Sequence, residues 1–194
     1  MLIPFLQKNP FSRNIIYAIG KKRARGVIRK FEKFLQKSDR ILDVGSGVCN
    51  ICEVLQGRGH RVVPLDIENL SFVDAIQPVL YDGERMPFGD NSFDVALMVT
   101  VLHHAKDPEK IVKETMRVSK KMIIVEDIYT NVFQKYATFI FDSMINLEFI
   151  GHPHTNKSDA QWRDLFSKLK LRVMNVDYSY FYGIFKQATY YVGR

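Results

Sequence analysis

The chain has 194 residues, 46% of them hydrophobic and 25% charged, with a net charge of +7; this is a globular balance, long enough to bury a sizeable core, and it excludes a disordered or fibrous chain. The longest apolar run, Val95 to Leu102 with Thr100 inside it, is too short to cross a bilayer, and the first residues lack a signal-peptide pattern, so no transmembrane segment is expected. Two cysteines, Cys49 and Cys52, are too few for a disulfide framework and suit a reducing compartment, which makes a cytoplasmic protein the expectation.

Residues 1–38 hold ten Lys or Arg against Glu32 alone, more than the whole net positive charge. Such an arm can steer toward nucleic acid, anionic lipid or an acidic substrate, or it can serve as a solvated helix face. From about Asn14 to Lys37 the apolar residues Ile15, Ile16, Ile19, Val27, Ile28, Phe31, Phe34 and Leu35 recur at three- and four-residue steps, as amphipathic helices require, with Gly20 and Gly26 expected to break the run into pieces. Short branched runs then read as strands at Arg40–Val44, Arg61–Leu65, Val79–Tyr81, Phe93–Val99 and Met122–Val125. Helices are expected between them at Val48–Gln56 and Asp107–Val118, the second capped by Asp107 with Pro108 at its first position. After Asp127 come an aromatic-rich helical stretch near Val132–Phe149, a polar loop Gly151–Lys157 and a helix from Ser158 to about Leu169. Two last strands follow, about Leu171–Tyr178 and Gln187–Val192. Alternation of this kind predicts a parallel sheet covered by helices. One domain is expected over residues 1–194, with 1–37 as its basic helical segment and 128–157 as a lid-like insertion.

In a parallel sheet, ligands gather beyond the carboxyl ends of the strands where strand order reverses, so the first strand is the place to look. It ends in Asp43-Val44-Gly45-Ser46-Gly47, where glycines permit a tight turn and close approach of backbone to ligand. Dinucleotide enzymes use Gly-x-Gly-x-x-Gly at this place, and here the third glycine is replaced by Asn50. Roughly twenty residues on, the second strand closes in Leu65-Asp66-Ile67, where a carboxylate can accept from both hydroxyls of a ribose. Tyr81-Asp82-Gly83 follows the third strand, with Asp82 suited to accept from an exocyclic adenine amine. Asn91-Ser92-Phe93-Asp94-Val95 then leads to Val101-Leu102-His103-His104 and Asp107-Pro108-Glu109.

In order and spacing this set resembles the class I S-adenosylmethionine-dependent methyltransferases, especially the small "type 11" group, over about residues 38–127. The resemblance implies an α/β, Rossmann-like fold: a seven-stranded, mostly parallel sheet of order 3-2-1-4-5-7-6, its last strand antiparallel, between helical layers. It implies S-adenosyl-L-methionine as cofactor, with Asp43 fixing the loop and facing the methionine part, and Gly45, Ser46 and Gly47 packing along it. Asp66 would hold the ribose, Ile67 would pack on adenine, Asp82 would take the adenine amine, Gly83 would lend backbone and Val99 would line the pocket. Two departures stand out: Cys49 occupies the place of the family's third glycine, and Ser119-Lys120-Lys121 replaces its Pro-Gly-Gly turn.

Past the fourth strand, His103 and His104 are candidates to orient the acceptor or take its proton, and Glu126, with Asp127, shares that rim; Tyr129 is a weaker candidate. Cys49-x-x-Cys52 at a helix start reads as packing in preference to redox chemistry. His103-His104 and His152-x-His154 lack the spacing of a metal pair on one helix face, so no metal is expected. A small acceptor, apolar or anionic, is the expected substrate. RNA methylation through residues 1–38 is the alternative, although Val99-Thr100-Val101-Leu102 is unlike the Asn-Pro-Pro-Tyr motif of nucleic-acid amine methylation. The third reading is a non-catalytic, cofactor-binding scaffold, and the sequence leaves the oligomeric state open.

Overall fold

The computed structural model describes residues 10–130, 134, 156–181 and 185–194. Among these, β1 (Arg40–Val44), β2 (Arg61–Asp66), β3 (Val79–Leu80), β4 (Phe93–Val99), β5 (Ser119–Ile128), β6 (Arg172–Phe181) and β7 (Phe185–Gly193) form one sheet of order β3-β2-β1-β4-β5-β7-β6. β7 runs antiparallel to both neighbours and the remaining pairs are parallel, the topology implied by the family resemblance. Four α-helices among the described residues accompany it: α1 (Pro10–Phe31), α2 (Asn50–Gly57), α3 (Pro108–Val118) and α4 (Asp159–Lys168).

β1, β4 and β5 are buried almost continuously through their centres because both sheet faces are covered. Ile41, Val95, Leu97, Ile123 and Val125 meet Ala24, Val27, Ile28 and Phe31 of α1 and Cys52 and Leu55 of α2. On the other face, Leu42, Val44, Ala96, Met98, Met122 and Ile124 pack with Val112 of α3 and with Trp162 and Phe166 of α4. The caps read from sequence are present: Asp107 accepts from the Lys110 N–H, and Ser158 forms a capping box with Gln161.

α1 departs from expectation, since it runs unbroken through Gly20 and Gly26. A Cβ on Gly20 would lie 2.0 Å from Nδ2 of Asn50, so this glycine is where α1 presses on the start of α2. Burial of the Ala24–Phe31 stripe outweighs the cost of about 1 kcal/mol that each helical glycine carries. The altered turn before the fifth strand is absent altogether. α3 ends at Val118 and β5 begins at Ser119, whose hydroxyl donates to the Thr115 carbonyl at 2.7 Å.

Strand register then places the site. Val44 stands beside Leu65 on one side and Met98 on the other, so Asp66 and Val99 sit one step beyond, at the same edge as the loop after β1. β1 is flanked by β2 and β4, so the sheet's order reverses there. The expected aromatic helix at 132–149, most of the 128–157 insertion, His152 and His154 lie outside the described residues. No helix among the described residues is long and apolar enough to cross a membrane.

Candidate active site

The loop after β1 hooks onto the end of β2. The N–H groups of Gly45 and Ser46 both donate to the Leu65 carbonyl, at 2.8 and 3.1 Å, and the Gly47 N–H donates to Asp66 Oδ2 at 2.7 Å. Gly45 and Gly47 have φ of 69° and 49°, the left-handed region in which a side chain is strained. The two differ in surroundings: a Cβ on Gly45 would stand 2.6 and 2.8 Å from the Val101 methyls, whereas one on Gly47 would meet nothing within 4 Å. Gly45→Ala should therefore lower stability by about 2–4 kcal/mol, from backbone strain and overpacking together. Adding Val101→Ala should restore the overpacking part in thermal melts, and equal melting of both variants with the wild type would contradict the close approach. Cys49 adopts φ 61°, so the loop keeps the shape that its missing glycine would give, with the thiol fully buried.

Asp43 is 2% exposed and accepts a hydrogen bond from the Cys52 thiol at 3.1 Å. Burial pushes its carboxyl up to about 7; the thiol bond pulls against this, and the charge of Asp66 adds to it. Burial, with Asp43 beside it, also raises the Cys52 thiol, which argues for packing over redox work. A carboxyl held above its unfolded value favours folding while protonated. The native state should thus lose stability as pH rises from about 4 to about 7, by up to roughly 4 kcal/mol, and change no further above that. Asp43→Asn should flatten this slope in pH-dependent denaturation; an unaltered slope would contradict the assignment.

Asp66 lies half-buried at the end of β2. Besides the Gly47 bond, its Oδ1 accepts from the Ile67 N–H at 2.7 Å, which leaves one lone pair on each oxygen for a further donor. Ile67 is 66% exposed, and its Cγ2 lies 3.5 Å from where a Gly83 Cβ would be, so these two form one apolar wall. Asp82 sits on an exposed turn, its Oδ1 accepting from the Glu84 and Arg85 N–H groups at 2.8 and 2.9 Å, bonds that hold the carboxyl below its ordinary range. Tyr81 runs between them: its N–H donates to the Asp66 carbonyl, and its phenol is pushed up to about 12 by burial and by both carboxylates.

The rim beyond β4 is built around Glu126. This side chain is 0% exposed; Oε1 accepts from the Val101 and Leu102 N–H groups at 3.0 and 2.7 Å, and Oε2 meets His103 Nδ1 at 2.6 Å. It thereby fixes a 3₁₀ turn, Leu102–His104, whose His103 is 1% exposed while His104 is half-buried, the two rings 4.0 Å apart. Val99 is half-buried at the strand end. Thr100 after it takes φ 55°, strained for a β-branched residue, with its N–H on the Val125 carbonyl at 2.7 Å. Asp127 accepts from Gln187, which in turn accepts from Lys30 of α1 at 2.5 Å; Tyr129 donates to Gln161.

The structure thus bonds Gly45, Ser46 and Gly47 to the end of β2 at Leu65 and Asp66, sets the Asp43 carboxyl where it feels the charge of Asp66, places Ile67 against Gly83, and sets His103 and Glu126 together in the interior. Asp82 stands apart on its turn, and Val99 borders the rim. Val101, Thr100 and the Cys52 thiol are additions that sequence reading did not supply. Among the described residues, no three His, Cys, Asp or Glu side chains stand together as a metal site would need.

Residues 42–122 match a family described as "Methyltransferase domain". A sterol 4-C-methyltransferase, strm-1, of Caenorhabditis elegans is 27% identical over 130 residues, covering 59% of this chain and 39% of that protein. A demethylmenaquinone methyltransferase of Renibacterium salmoninarum is 31% identical over 97 residues, 45% of this chain and 40% of its own length. The chain thus matches about two fifths of either relative. Among solved structures, an S-adenosylmethionine-dependent methyltransferase of Methanosarcina mazei superposes with a TM-score of 0.69 at 19% identity, covering 84% of this chain and 96% of that one. With the strand order and the bonded loop already in place, these matches identify residues 42–122 as a methyltransferase domain with the fold of the class I S-adenosylmethionine-dependent enzymes, whose cofactor is S-adenosyl-L-methionine.

Proposed function

We propose that the protein transfers a methyl group from S-adenosylmethionine to a small, apolar acceptor. The observation that carries this reading is the Gly47–Asp66 junction: a strained loop whose own N–H groups are bonded to β2, beside a carboxylate with an unused lone pair on each oxygen. Those lone pairs suit the two ribose hydroxyls, the wall of Ile67 and Gly83 suits a purine face, and Asp82 Oδ2 suits an adenine amine. Asp43, a buried carboxyl bonded only to a thiol among the described residues, suits an ammonium group, whose charge would draw the carboxyl back toward ionisation. The open space where a Gly47 Cβ would stand suits the chain linking these parts.

When bound, the sulfonium supplies an electrophilic methyl with a good leaving thioether. The protein's task is alignment and exclusion of water. Asp43 and Asp66 would hold the two ends of that group, and the rim of Val99 and Val101 would keep water from the methyl. In our reading Glu126 and His103 act as positioning residues that hold the turn after β4. His104, half-buried on that turn, is the group placed to receive a proton from an acceptor that must lose one. An apolar acceptor is supported by the aliphatic rim of Val99 and Val101 and by the two curated relatives, whose names carry a sterol and a demethylmenaquinone.

The test is label transfer from S-adenosylmethionine carrying an isotopic methyl into a panel of metabolites, sorted into organic and aqueous extracts. We expect label in organic-soluble product. Label confined to aqueous products would overturn the apolar reading, and cofactor binding without transfer to any compound would favour the scaffold.

A further inference from the structure

We propose that the outer face of α1 docks on an anionic lipid surface. The helix sorts its cations by face. On the sides turned toward the body, Arg13 pairs with Asp74 and Lys21 with Glu53, each cation supplied with an acid from another element. Lys22, Arg23, Arg25 and Arg29 are all exposed, and none has an ion pair among the described residues. Steps of four, three and seven residues join Ile15, Ile19, Lys22 and Arg29 into one stripe, with Arg23 and Arg25 on its two flanks. The span from Pro10 to Phe31 holds no acid, so every charge on this stripe is positive.

Ile15 and Ile19 are 45% and 64% exposed, one turn apart, ahead of the cations. Charge alone would serve a nucleic acid equally well. Two aliphatic side chains held in water gain nothing from phosphates, whereas at a bilayer they insert among acyl chains while lysine and arginine meet the headgroups. The combination therefore favours lipid over nucleic acid. The face lies on the side of α1 opposite Ala24, Val27, Ile28 and Phe31, so docking leaves the packing of α1 on the sheet intact. The proposal is independent of which acceptor is methylated.

Vesicle flotation of the full chain tests it, with vesicles of phosphatidylcholine alone and of equal parts phosphatidylcholine and phosphatidylglycerol. We expect partition onto the anionic vesicles only, weakened by salt. Lys22→Gln, Arg25→Gln and Arg29→Gln together should reduce it about a hundredfold, roughly fivefold per charge. Ile15→Ser with Ile19→Ser should reduce it about tenfold or more with every charge retained. Unchanged melting and unchanged S-adenosylmethionine affinity in both variants keep the comparison clean. Absence of wild-type partition, or isoleucine variants that partition as the wild type does, would overturn the proposal. So would duplex RNA binding that the isoleucine variant retains while vesicles are ignored.

Discussion

Asp66→Ala is expected to weaken S-adenosylmethionine binding by a hundredfold or more in calorimetry. Two charge-assisted hydrogen bonds to ribose hydroxyls are each worth about 1.5–3 kcal/mol, and the same substitution deprives the Gly47 N–H of its acceptor, so the loop loosens as the ligand loses its anchor. Asp66→Asn separates the two effects. Its amide oxygen can still accept from Gly47, so the loop should hold and affinity should fall by a smaller factor. Equal affinity in wild type and Asp66→Ala would remove the ribose role from this carboxylate.

The largest stability effect is expected at Glu126. Truncation to alanine leaves two backbone N–H groups and His103 Nδ1 without their acceptor, in a place where Glu126 and His103 are 0% and 1% exposed. Breaking such a buried network costs about 3–5 kcal/mol, which for a domain of this size lowers the melting temperature by on the order of 10 °C. Glu126→Gln keeps an oxygen for the turn and should melt between the two. If Glu126→Ala melts with the wild type, the turn after β4 is held by something else. Where the alanine variant folds, kcat should fall more than the KM for S-adenosylmethionine rises if the turn borders the acceptor, as we propose.

Much of this architecture is legible from local pattern. β1 and β4 appear at Arg40–Val44 and Phe93–Val99 because both are branched, apolar runs bounded by turn residues, and the caps at Asp107 and Ser158 declare their helices. Asp66 and Asp82 are legible as strand-end carboxylates at fixed distance from a glycine loop. What escapes is whatever depends on a distant partner. Gly20 reads as a helix breaker until Asn50 is seen 2.0 Å from its missing Cβ, and Gly45 shows its need for smallness only through Val101. Glu126 reads as a catalytic candidate at a sheet edge, yet its oxygens accept from the turn that carries His103. Strand ends escape as well: β5 starts at Ser119 rather than Met122, because Lys120 and Lys121 look polar in sequence while lying exposed on an otherwise buried strand.

The central claim is that the cofactor sits at the carboxyl edge of β1, β2 and β4, and a titration with S-adenosylmethionine followed by backbone amide NMR tests it most directly. The account predicts that the amides of Gly45, Gly47, Ile67, Gly83 and Thr100 shift together with a single saturation curve, while those of β6 remain still. Shifts confined to other parts of the sheet, or an unperturbed loop at saturating ligand, would contradict it.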